Sequence, residues 1–115
     1  AVALRPGEPL LRLGLARAQI EINEPGFTKK AIDNLVVAAR AEPNYAPHWH
    51  FMGIAYGRDQ QLAQSSLALA EASLLRNELT EANYHAEKAK RGLKLGTPSY
   101  LRAEDIILAA SHRKR

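Results

Sequence analysis

The side chains best suited to chemistry are few and far apart. His48 and His50 flank Trp49, while His85 and His112 stand alone. Residues two apart on a helix point about 200° away from each other, so His48 and His50 cannot hold one metal ion. No HExxH pair exists, because Met52, Ile54 and Ala89 lie four positions after His48, His50 and His85. These histidines are expected to be structural or solvent-exposed. Glu71 sits in the apolar run Leu67-Ala68-Leu69-Ala70-Glu71-Ala72. A carboxylate in such surroundings can act as a general base, but no nucleophile, second acid or glycine-rich phosphate loop accompanies it. The expectation for Glu71 is a hydrogen bond or salt bridge between helices. Glu87 and Arg91, four apart, read as a surface pair. The absence of cysteine removes thiolate nucleophiles, disulfides and Cys-ligated zinc. No catalytic residue, no metal ligand and no cofactor is assigned to this chain.

Charge adds little. The net charge is +4, and the basic residues gather late, at Lys88, Lys90, Arg91 and Lys94 and in His112-Arg113-Lys114-Arg115. No aromatic interleaving accompanies them, so specific nucleic-acid recognition is not expected. A nucleic-acid-binding tail would show steep salt dependence, lost on deleting Arg113 to Arg115. The longest apolar runs, Leu35 to Ala39 and Ile106 to Ala110, are five residues each. A spanning helix needs about 20, so no transmembrane segment is expected. No signal peptide is visible. The chain starts at Ala1 rather than Met, which reads as a fragment or a processed product.

The positioning elements follow from composition and punctuation. Of 115 residues, 20 are Ala and 16 are Leu, whereas Val, Ile and Thr together make 12. Ala and Leu lose little side-chain entropy in helices, and β-branched residues favour strands, so the chain reads as all-α. The length fits a single domain over 1–115. Pro6, Pro9, Pro25, Pro43, Pro47 and Pro98 mark joints, because proline gathers at helix ends. Between them, apolar spacing predicts about six helices, over 8–23, 28–41, 46–58, 61–76, 79–95 and 99–111. Thr97 or Ser99 is placed to cap the last one. Short joints make neighbouring helices antiparallel. The apolar stripe of the sixth helix, Leu101, Asp105-Ile106 and Leu108-Ala109, suits packing on the array or on another domain.

Shifting the chain by 34 residues brings Leu15 onto Trp49, Ala18 onto Met52, Ile22 onto Tyr56, Leu35 onto Leu69 and Ala38 onto Ala72. Three such periods occupy 12–45, 46–79 and 80–113. The pattern resembles the tetratricopeptide (TPR) repeat. Trp49-x2-Met52-Gly53-x2-Tyr56 matches its first helix, and Ala31-x3-Leu35-x2-Ala38-x4-Pro43 its second helix and closing proline. In the third period Asn83, Ala86, Glu87 and Lys90 stand at first-helix positions. A competing register reads Asn77-Glu78-Leu79-Thr80-Glu81-Ala82-x3-Ala86-x2-Ala89 as a turn and second helix, so the fourth helix would serve two overlapping repeats. The resemblance implies a right-handed solenoid whose groove binds peptide segments. A helical wheel places Ile20, His50, Ile54, Arg58, Tyr84, Lys88 and Arg91 toward that groove, a mixture suited to an acidic or extended peptide. Trp49, Met52 and Tyr56, with small Gly53, Ala82, Ala86 and Ala89, are read as packing positions. The two-carboxylate clamp of chaperone-binding TPRs is not expected, since Ala16 and Ile20 stand where Lys and Asn would be needed.

The second half carries a narrower likeness. Leu67-x-Leu69-Ala70-Glu71, then Asn77-x4-Ala82-x2-His85-Ala86-x2-Ala89, then Leu95-Gly96-Thr97-Pro98-Ser99-Tyr100-Leu101-Arg102-Ala103-Glu104-Asp105-Ile106 resembles the C-terminal TPR region of bacterial periplasmic zinc metalloproteases related to the CAAX prenyl protease family. Arg5-Pro6 and Ala31-Ile32-x2-Leu35 fit the same region more loosely. In that family an HExxH helix in a separate catalytic domain binds zinc. The motif is absent here, so no catalytic or metal residue carries over. The resemblance implies a non-catalytic docking module in the periplasm or cell envelope. Its implied partners are its own protease domain, outer-membrane assembly machinery or misfolded substrate proteins, and zinc would belong to the parent catalytic domain. Alternatives are a stand-alone TPR adaptor, in the cytoplasm for instance, a basic nucleic-acid-binding helical domain, and an enzyme using Glu71 with a histidine.

Overall fold

A computed structural model describes residues 8–113, which among them form six helices and no strand. These are α1 (Pro9–Ile22), α2 (Pro25–Ala41), α3 (Ala46–Arg58), α4 (Leu62–Leu75), α5 (Leu79–Gly92) and α6 (Pro98–Arg113). The all-α expectation holds. Arg5-Pro6 and the tail residues Lys114 and Arg115 lie outside the described residues.

Proline explains where helices begin. Pro9, Pro25 and Pro47 occupy the first turns of α1, α2 and α3, and Pro98 opens α6. The proline ring fixes φ near its helical value, and the missing N–H is one that no helix start can satisfy internally. This also corrects the start of α2, expected at residue 28. Pro25-Gly26 reads as a turn, yet Pro25 is the first helical residue, and Thr28 N–H already donates to the Glu24 carbonyl at 2.9 Å. The opposite correction applies to α5, expected to reach 95. It stops at Gly92, and extended Leu93 turns back to pack against the core.

Left-handed residues reverse the chain at four joints: Asn23, Gln60, Asn77 and Gly96. Gly96, at φ 80°, needs its missing Cβ, whereas Asn tolerates this region through its short polar side chain. Thr97 follows as the cap of α6, its Oγ1 accepting the Tyr100 N–H at 3.3 Å and donating to the Lys94 carbonyl at 2.8 Å. The segment Gly96 to Pro98 is thus a chain reversal, a cap and a helix start in sequence.

Each helix packs on its sequence neighbour, as short joints require. Beyond that, α1 touches α3 and α4 touches α6, while α5 does not touch α3. The row of stacked helices therefore passes from α1 and α3 to α4 and α6. α4 thus packs on α3, α5 and α6. Two cores result. The first joins Leu13, Ala16, Ile20, Ile32, Leu35 and Met52, with Ala68 of α4. The second joins Leu67, Ala70 and Leu74 of α4 to small residues of α5 and to Ile106 of α6. Because α4 faces both, Ser66–Ala68 and Ala70–Leu74 are buried and the helix is apolar nearly all round.

Alanine sets the helix spacing. Ala31, Ala38, Ala82, Ala86 and Ala89 have no exposed surface, nor has Leu35. The closest approach is between α3 and α4 at Gly53. A Cβ there would lie 2.7 Å from Cγ and Cδ2 of Leu69 and 3.3 Å from the Ser65 carbonyl oxygen. Ser65 Oγ also donates to the Gly53 carbonyl at 2.6 Å. Gly53→Ala is expected to lower stability by about 1–2 kcal/mol. Overpacking costs about 1–3 kcal/mol and outweighs the gain of roughly 1 kcal/mol in helix propensity. Urea unfolding measures the balance, and a stabilised variant would refute the close approach.

Candidate functional site

A cleft of about 460 Å³ opens where the end of α2, the face of α3, the middle of α4 and the first turn of α6 converge. The volume falls within the usual range for small-ligand pockets, about 300–1,000 Å³. From α3 come Trp49, Met52 and Tyr56, spaced three and four apart and therefore on one face. Trp49 Nε1 donates to the Pro43 carbonyl at 2.8 Å, which fixes the half-buried ring as a wall. Leu67, Ala68 and Glu71 face it from α4, and Val36, Ala39 and Arg40 from α2. Pro98, Ser99 and Arg102 close it from α6.

One ion pair spans the α4–α6 side. Arg102 Nε and Nη2 donate to Glu71 Oε2 and Oε1 at 2.7 and 2.6 Å. Bidentate pairing of this kind is short and directional. Glu71 is buried, and Arg102, half-exposed, is held protonated even more firmly by the bond to Glu71 and by nearby Asp105. The expected interhelical bond at Glu71 is present, and it joins the first and last of the three segments compared with the protease region. Gln64 Nε2 donates to Ser99 Oγ at 3.5 Å on the same rim. Burial, followed by the charge of Asp33, pushes the Tyr56 hydroxyl above its ordinary value, so it stays a neutral phenol.

The residues expected in the first-helix groove stand apart from this cleft. None of His50, Ile54, Arg58, Tyr84, Lys88 and Arg91 lines the cleft. Ile20 is buried, and half-buried Ile54 packs on the same core. Arg58 Nη1 donates to the Ile20 carbonyl. His50 sits edge-on to Phe51, with ring centroids 5.2 Å apart. Tyr84 is 57% exposed and meets the His85 ring at 5.3 Å. Lys88 and Arg91 are exposed on α5. The six therefore fall on two helices that do not touch each other. Trp49, Met52, Tyr56 and Pro43, expected only to pack, line the cleft together with Arg40, Ser99 and Arg102.

His48 is fully buried, its Nε2 2.8 Å from Glu42 Oε1 and its ring edge-on to Tyr45. It anchors the α2–α3 turn. Lys90 pairs with Glu104 across α5 and α6 at 3.4 Å, whereas Glu87 and Arg91 form no ion pair. Among the described residues no cluster of His, Asp and Glu is placed to hold a metal ion.

Burial lowers the pKa of both His50 and His85 below 6.5, helped by the positive charges of Arg76 and Lys88 respectively. In the window between the folded values and 6.5, the unfolded chain binds more protons. Stability therefore falls as the pH drops through this window and is lowest below the folded values. Urea midpoints at pH 5, 6 and 7.5 are expected to rise in that order. Combining His50→Gln with His85→Gln is expected to flatten the rise, and an unchanged slope would contradict this assignment.

Among the described residues, fold and site together define an antiparallel all-α array with an apolar cleft flanked by the Glu71–Arg102 ion pair. No family model, characterised protein or solved structure matches the chain. No helix of the described residues is long and apolar enough to cross a membrane.

Proposed function

We propose that this chain is a non-catalytic protein-docking module that takes an apolar side chain of a polypeptide segment into the cleft beside Trp49. One observation carries the reading. Most of the cleft lining is Trp, Met, Leu, Val, Ala and Pro side chains, with Tyr56, Arg40, Gln64, Ser99 and the Glu71–Arg102 pair supplying its polar groups. Such a lining favours burial of apolar surface with a few orienting polar contacts. Nothing in it sets a nucleophile against a base.

Within this reading, the likeness of Gly96–Ile106 supports a TPR-like docking domain of a zinc-dependent envelope protease, acting on envelope proteins in the bacterial periplasm. The residues behind that likeness have work in the array. They reverse the chain, cap α6 and supply Pro98, Ser99 and Arg102 to the cleft. Reading the gene upstream of Ala1 tests the assignment: an in-frame HExxH helix behind a secretion signal supports it, and a start codon with no protease overturns it.

The docking site itself is tested by selecting random heptapeptides displayed on phage against the 115-residue chain. Ser99→Trp fills the cleft from its rim. Selected peptides are expected to bind this variant at least tenfold more weakly while its thermal melt stays unchanged. Equal binding to a folded Ser99→Trp variant would remove the cleft from the account.

A further inference from the structure

A second hollow of about 360 Å³ adjoins the cleft and shares Pro43, Trp49, Glu71 and Arg102 with it. Its character differs. Leu74 and Leu75 line one part, and Arg113, in the last turn of α6, joins Arg102 there. Glu71 is the only acid in either lining, and Arg102 already holds both of its oxygens. That side-on pairing leaves Arg102 Nη1 with no acceptor among the described residues. Arg113 makes a single bond, from Nη1 to the Leu74 carbonyl at 3.3 Å. Arg40, on the far wall of the apolar cleft, has no ion-pair partner among the described residues. Three guanidiniums thus border two adjoining hollows whose linings hold a single carboxylate, already paired with Arg102, while Asp105 lies near Arg102 outside them.

We infer that the groove is bipartite and takes an acidic peptide segment, with a large apolar side chain in the Trp49 cleft and an adjacent carboxylate in the hollow between Arg102 and Arg113. The inference rests on reading the cleft as a docking site and adds the chemistry of the partner. Charge complementarity selects the occupant, because guanidinium forks match carboxylates and an apolar compartment lies directly beside them. Nucleic acid fits less well, since a strand would need a row of aromatic platforms and the lining has only the Trp49 and Tyr56 rings, both on one face of α3. The side-on use of Nε and Nη2 by Glu71 has a further consequence. The buried acid orients Arg102 and leaves its remaining nitrogen for the ligand, so Glu71 is a positioning residue.

The test uses the heptapeptides selected from the random library and the emission of Trp49, the single tryptophan of the chain. Enriched peptides are expected to combine a large apolar residue with Asp or Glu, to shift Trp49 emission, and to bind more weakly as salt rises. Replacing the acids of the best peptide by amides, or introducing Arg113→Gln, is expected to weaken binding about tenfold, as for loss of one charge-assisted hydrogen bond. Arg113→Met, beside Leu74 and Leu75, provides a second variant should Arg113→Gln unfold, each being checked by circular dichroism. Peptides that shift Trp49 emission and are blocked by Ser99→Trp, yet ignore acid replacement and both arginine variants, would overturn the acidic partner and leave the docking reading standing. Selection of no peptide that shifts Trp49 would overturn both. Binding of a dT12 oligonucleotide that quenches Trp49 and displaces the peptides would replace the inference with a nucleic-acid ligand.

Discussion

Truncating Ile106 to Ala is expected to destabilise the chain by about 3–4 kcal/mol. Ile106 is 0% exposed, and the second core sets it with Leu67 and Leu74 among six alanines. Ala103 and Ala110 lie three and four residues away on its own helix, and Ala82, Ala86 and Ala89 form the facing surface of α5. These alanines have no rotamers with which to fill the void, so the cavity term adds to the lost transfer energy. A domain of this size has roughly 5–15 kcal/mol in total, so the loss is a large fraction. It also bears on function, because α6 carries Pro98, Ser99 and Arg102 into the cleft. Leu108, 58% exposed on the same helix, is the control, and Leu108→Ala is expected to stay within about 0.5 kcal/mol. Equal urea midpoints for the two variants would mean that α6 is not anchored through Ile106.

Arg102→Met is expected to cost about 2–3 kcal/mol. Breaking a buried pair by removing one partner leaves an uncompensated charge, which in fully buried cases costs about 3–5 kcal/mol. The value here is smaller because the Arg102 side chain is 46% exposed, so water can reach part of what it vacates. Glu71→Met is expected to cost less, about 1 kcal/mol, since the arginine left behind can turn to solvent while Met packs among Leu67, Ala70 and Leu74. The double variant is expected to resemble Glu71→Met alone. Once the buried carboxylate is gone, losing Arg102 has little further effect. This non-additivity, about 2 kcal/mol of coupling, is the signature of the pair. Strictly additive single costs would show that it contributes nothing to the fold.

Much of the array is legible in the sequence because punctuation and period act locally. Four of the six prolines open helices, and a proline ring does this wherever the helix later packs. The 34-residue offset marks Ala31, Leu35 and Ala38 as interface positions, the competing register marks Ala82, Ala86 and Ala89, and all six are fully buried. Glu71 announces itself as an acid in an apolar run. Its partner does not, because Arg102 lies 31 residues away on a helix that α4 meets only through the change of stacking row. The groove was the least legible part for the same reason. A helical wheel gives the face of one helix and says nothing of which helix lies opposite. A groove shared by His50, Ile54, Tyr84 and Lys88 requires α3 and α5 to adjoin, and they do not. Arg58 is tied down as well, because the Ile20 carbonyl takes its guanidinium. Repeat spacing marks Trp49 as a packing position. The ring does pack, but its indole is tied to Pro43 and one side borders the cleft.

Amide chemical-shift mapping locates the docking surface. A selected heptapeptide is titrated into the isotope-labelled chain. The account predicts shifts at the single tryptophan indole N–H, at Val36, Ala39 and Arg40, at Met52 and Tyr56, and at Gln64, Glu71, Ser99 and Arg102. It predicts none at Tyr84, Lys88 or Arg91. Shifts confined to His50, Ile54, Tyr84, Lys88 and Arg91, with the Trp49 indole unmoved, would contradict it and place the partner in the first-helix groove instead.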